Sequence, residues 1–361
     1  MNRGLSEKRS WVFIAVLFGT VNIAMGCAVP VFRYALERWE SDPYIVTVNR
    51  GENSSEAIGQ ACELLDNFSS WDNDDPANLV MHEYKSTDKV KLAAGQMSVH
   101  FPYSSQIEKP ILIDKISEKA VKEIVDSPMR SEIAKRLVGA DSAVWVFLES
   151  SDAKKNKAAF ELVEKKLKEL EENLMLPDDE LAAESGMVIA EENEDVVRIS
   201  FSMLKLARNN KDEKFLIDLL LDSEGDLRKY DDEPLVFPVF GRGIVLFALV
   251  GDGISEENIE ESCLFLTGPC SCQVKALNPG LDMLIKFNWD NALMESLIVE
   301  EFEMPELEGL GLDEVVEAAV DVEVVTEEAS DNRLLRNVLG LLVILALIVG
   351  GGTWALRERK Q

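Results

Sequence analysis

Cys270 and Cys272, separated by Ser271, are the one pair of groups in this 361-residue chain whose spacing points sharply to chemistry. Two thiols two residues apart can close a small strained ring, and strained disulfides are oxidising. The pair follows Gly268-Pro269, in a loop after a helix, and Lys275 is a nearby cation that could favour the thiolate. Cys270 and Cys272 are therefore the catalytic candidates for a thiol–disulfide oxidoreductase. The preferred reading is structural: inert loop cysteines, or a disulfide from this loop to Cys263 or Cys62. No metal centre is expected. A closed zinc site needs four ligands, and Cys62, Cys263, His82 and His100 do not stand at ligand spacing. His82 and His100 are the only imidazoles, and a general-base role for either is the less favoured reading. G-x-G-x-x-G, P-loop, H-E-x-x-H and G-x-S-x-G patterns are absent, so no cofactor is expected.

Charge narrows the partners. Lys and Arg number 37 and Asp and Glu 66, for a formal net charge of −29. A nucleic-acid partner is excluded, because phosphate neutralisation needs clustered cations. Five cysteines are too few for a disulfide framework, and 47% apolar residues suffice for a sizeable core. From Phe287 to Asn332 there are 15 acidic residues and no basic one. Their spacing fits no EF-hand loop. The segment 287–332 reads as a solvated acidic stem, with binding of a cationic partner as the alternative.

The elements that must position these groups alternate between strand and helix. Ile45 to Val48 is a β-branched run, and Ser54 opens a helical pattern with Ile58, Ala61, Cys62 and Leu65 on one face. Leu79–Tyr84, Met97–Tyr103 and Pro110–Ile113 read as strands. Helices start near Ser117 and at Ser127-Pro128, where Ser caps and Pro fills the first turn. Ala143–Leu148 is apolar enough to be buried on both faces. A long amphipathic helix follows over Lys154–Leu174, then an acidic loop over Pro177–Glu194. A strand (Val196–Met203), a helix (Asp212–Leu221) and a hairpin turning at Gly241-Arg242-Gly243 come next. Ser255 opens the next helix.

This order repeats once. Phe101-Pro102 precedes Ile116-Ser117-Glu118 by 15 residues, and Phe237-Pro238 precedes Ile254-Ser255-Glu256 by 17. Each copy reads β-α-β, then β-β-α, and that order resembles the thioredoxin-like family over roughly residues 43–268. The resemblance implies two tandem units, 43–127 and 128–286, and a cis-proline near Pro102 and Pro238. The family's Cys-x-x-Cys has no counterpart at residues 49–53 or 150–154, so its redox activity does not transfer. Phe237–Gly243 and Gly268–Cys272 also resemble segments of a set of uncharacterised bacterial membrane-anchored proteins.

The two ends complete the expectation. Trp11–Phe32 is free of charge and long enough for a bilayer, as is Asn337–Leu356. Lys and Arg beside both segments place short tails, 1–10 and 357–361, in the cytoplasm. Cleavage or lipidation at Cys27 is the alternative for the first segment. The fold class expected is thus α/β, two tandem thioredoxin-like units between two transmembrane helices. The bulk of the chain would be periplasmic at a bacterial inner membrane. The expected partners are the lipid bilayer and other envelope membrane proteins. The expected function is a redox-silent protein-binding or scaffolding module, without a firm expectation of enzymatic activity.

Overall fold

Caps fix where the helices begin. In the computed structural model, which describes residues 29–301 apart from 53, 71–72, 178–197 and 271–273, five helices start behind a capping side chain. Ser55, Ser117, Ser127, Asp152 and Ser255 each accept a hydrogen bond from the second or third backbone amide of the helix that follows.

The first half of the chain runs α1 (Val31–Arg38), β1 (Tyr44–Asn49), α2 (Glu56–Ser69), β2 (Leu79–Glu83), β3 (Gln96–His100), β4 (Leu112–Lys115), α3 (Glu118–Val125) and α4 (Pro128–Val138). The second half runs β5 (Ala143–Leu148), α5 (Ala153–Asn173), β6 (Phe201–Leu206), α6 (Lys214–Asp222), β7 (Leu235–Phe240), β8 (Ile244–Val245), β9 (Leu249–Val250), α7 (Glu256–Thr267), β10 (Leu281–Asp282) and α8 (Trp289–Glu301).

Two mixed sheets result. The first has the order β2-β1-β3-β4, with β1 parallel to β2 and antiparallel to β3. The second has the order β10-β8-β7-β5-β6, with β5 parallel to β6 and antiparallel to β7, and β9 pairing with β7.

Alternation along β5 shows how the layers stack. Val144, Val146 and Leu148 enter one apolar cluster, and Trp145 and Phe147 enter another. The first cluster joins β5 and β7 to α4 and α6. It continues through α2 and α3 to Tyr44, Val46 and Val48 of β1. The second covers the far side of the same sheet with α1, α5 and α7. The order is therefore sheet, helices, sheet, helices, and the two sheets share the inner helix layer.

Buried polar groups tie this layer together. Arg130, 2% exposed, donates through Nη2 to the Ile124 carbonyl at 2.6 Å and through Nη1 to the Leu284 carbonyl. Glu213 accepts from the Met129 amide at 2.7 Å and from the Ser127 hydroxyl, which holds the start of α4. Asn78 donates to the carbonyls of Asp42 and Met283 and accepts from the Ile285 amide. The bonds to Met283 and Ile285 join the residue before β2 to residues more than 200 positions downstream.

Several expectations are corrected. Among the described residues no helix is long and apolar enough to cross a membrane. The segment 337–356 and most of 11–32 lie outside the described residues. Where 11–32 enters them, the chain is doing something else. Val31 and Phe32 open α1, whose eight residues span about 12 Å and include Arg33, Glu37 and Arg38. Its buried face (Val31, Phe32, Ala35 and Leu36) packs into the domain, and Pro30 bridges to Pro269. This corrects the expectation of a domain between two transmembrane helices, and with it the signal anchor, the inner-membrane placement and the periplasmic location. A thioredoxin-like fold is not shown either: no peptide bond among the described residues is cis, Pro102 follows β3, and Pro238 lies inside β7. The supported class is α/β with two mixed sheets. Of the segment 287–332, residues 289–301 form α8, and its first residue, Trp289, is 8% exposed in the main core.

Candidate functional site

The loop after α7 is anchored by its backbone. The Cys270 amide donates to the Val29 carbonyl at 3.0 Å, and the Val31 amide donates to the Gly268 carbonyl at 3.0 Å. This pairing buries Cys270, 1% exposed. Cys272 lies outside the described residues. Cys62 and Cys263 are free thiols, so the disulfide considered between Cys270 and either of them does not form. Burial pushes the thiols of Cys62 and Cys263 up, away from the reactive thiolate. Lys275 is engaged elsewhere. Its ammonium donates to the Glu40 carbonyl at 2.5 Å, and it pairs with Asp282 at 2.6 Å and with Asp42 at 3.2 Å. Among the described residues no three metal-ligating side chains converge.

The larger opportunity lies on the first sheet. Its inward positions, Tyr44, Val46 and Val48, meet helices. The register sets the other face: Thr47 stands opposite both His82 and Ser98, and Ile45 opposite both Val80 and His100. Both histidines of the chain thus share one sheet face. That face floors a groove of about 1070 Å³, whose lining comes from strands and loops and includes no α-helical residue. The loop after β2 forms one wall and the loop after β3 the other. Lys89 and Glu108 form an ion pair between these walls, and Arg50 pairs with Glu83 at 2.8 Å. Hydrogen bonding to Lys89 holds the Glu108 carboxyl below its ordinary value. The rim charges therefore largely neutralise one another. Ile45, Phe101 and Ile107 supply apolar floor, and Tyr103, 78% exposed, stands at the mouth.

His100 is the polar centre of this floor. Its Nε2 lies 3.0 Å from the Ser98 hydroxyl. Burial pulls its pKa below the usual imidazole value, against a hydrogen bond with the Glu108 backbone, so the ring is neutral at pH 7. A serine beside a neutral imidazole could be a nucleophile and its base. Ser98, however, is fully buried beneath the ring, which keeps its hydroxyl from a substrate. The pair orients the imidazole as a hydrogen-bonding group of the groove.

The geometry defines an α/β protein with an open sheet face and buried thiols. No protein-family model matches the chain, and no curated protein matches it.

Proposed function

We propose that this chain is a redox-silent protein-binding module whose binding surface is the groove on the first sheet. One observation carries the reading. A sheet that buries one face under helices leaves the other as a concave, apolar-floored groove bearing hydrogen-bonding groups, the kind of surface that takes a ligand. Its self-neutralised rim favours uncharged residues at the floor, with His100 and Thr47 available for hydrogen bonds. The buried thiols of Cys62, Cys263 and Cys270 support binding over redox chemistry.

The test is site-specific photo-crosslinking in cells. A photoreactive residue at Tyr103 is expected to give a discrete polypeptide adduct, and the same residue at Lys165, exposed on α5, is expected to give none. Equal adducts at both positions, or none at Tyr103, would defeat the proposal.

A further inference from the structure

A second cavity lies where α8 meets the segment before β2. Its volume is about 580 Å³. Glu40, Asp74 and Asp290 contribute carboxylates to its lining, against one guanidinium from Arg242. Arg242 is held in place: its Nε donates to the Leu36 carbonyl at 2.9 Å and its Nη2 pairs with Asp290 at 2.8 Å. Glu40 and Asp74 have no ion-pair partner among the described residues, and both are exposed. Phe287 and Trp289 stand edge to face in the same lining, with ring centroids 4.9 Å apart.

Carboxylates beside aromatic rings are what a cationic side chain recognises. Carboxylates attract such a group by charge, and aromatic rings in the same lining offer it a cation–π contact. Arg242 shows that a guanidinium is already accommodated in this wall. The wider charge points the same way. The chain carries −29, and from Phe287, at the cavity edge, to Asn332 it holds 15 acidic residues and no basic one. Such a field steers cationic partners and repels acidic ones.

We infer that this cavity is a docking site for an arginine or lysine side chain carried on a basic segment of a partner polypeptide. It is separate from the groove of the first sheet and stands whether or not that groove binds protein.

The probe is a twelve-residue peptide of alternating arginine and glycine, with a citrulline version as its neutral control. Titration calorimetry with the full chain should show binding of the arginine peptide, weakened by salt, and none of the citrulline peptide. The double variant Glu40→Gln, Asp74→Gln removes only exposed carboxylates and leaves the acidic run after the cavity intact. It should lower the affinity about tenfold. In the NMR spectrum the side-chain amides of Asn73, Asn78 and Asn291, which share the lining, should shift on peptide addition. Unchanged affinity in the double variant would mean attraction to the acidic run alone and would overturn the inference. So would absence of binding, or amide shifts elsewhere. Crosslinking at Tyr103 is expected to be unaffected by the double variant, so the two readings fail separately.

Discussion

Replacing Asp282 by Asn should change how the stability of this protein depends on pH. Asp282 lies in β10, 4% exposed, with Oδ2 paired to Lys275 at 2.6 Å and Oδ1 lacking any hydrogen-bond partner. Burial raises its pKa from 3.8 to about 6, and Asp42 adds to the rise while Lys275 opposes it. The folded-state value lies above the unfolded one, so folding takes up a proton between them. The resulting stabilisation is complete below about pH 4 and is lost as the pH rises through 6. Two pKa units at about 1.4 kcal/mol each set the size, about 3 kcal/mol. Asn cannot ionise, yet it keeps an oxygen for Lys275. Between pH 4 and pH 7 the stability of Asp282→Asn relative to the parent should therefore improve by up to about 3 kcal/mol. Carboxylates whose pKa falls on folding, such as Asp152, weaken both proteins alike in acid and cancel in the difference. Urea unfolding at half-unit steps of pH measures it. Parallel stability curves, within about 0.5 kcal/mol, would refute the buried-carboxylate account.

Arg130→Met should cost about 3–5 kcal/mol in urea unfolding, because it strips the donor from the Ile124 and Leu284 carbonyls and leaves buried Glu213 without its cation; a loss below 1 kcal/mol would contradict the assigned role. Gly243→Ala should cost about 1–3 kcal/mol, since φ there is +86° and the added Cβ would lie 2.3 Å from Ile285 Cδ1; unchanged thermal unfolding would argue against this turn. Cys62, Cys263 and Cys270 should resist a thiol reagent in the native protein and react in denaturant; rapid native labelling of any of them, located by peptide mapping, would reopen the thiol chemistry.

Local signals made much of this architecture legible. Ala143–Leu148 is a strand at the expected limits, because a continuous apolar run bounded by turn residues admits little else. Ser127-Pro128 starts a helix where capping chemistry requires one. Elements set by tertiary contact were less visible. The segment ending at Phe32 reads as part of an apolar span, yet Pro30 breaks it, and Arg33 and Arg38 turn α1 into a surface helix with one buried face. β6 begins at Phe201, so residues 198–200 of the expected strand lie outside it, since its limits come from pairing with β5.

The candidate site was largely hidden. His82 and His100 are 18 residues apart in sequence, and only the register of β1 places them on one face. The parity of His82 along its strand was readable; the open side of the sheet was not, because nothing local says which face the helices cover. Asp282, Glu213 and Arg130 look like surface charges in sequence, and long-range packing is what buries them. The Cys270–Cys272 spacing drew attention as chemistry, but pairing of residues 268–270 with 29–31 buries Cys270.

Amide hydrogen exchange on the full chain, free and bound to the partner recovered by crosslinking at Tyr103, addresses the binding surface most directly. Protection is expected in residues 79–90 and 96–108, the strands and loops that frame the groove, with α5 and α7 unchanged. Protection confined to the helical face of the second sheet, with 79–108 exchanging as in the free protein, would contradict the account.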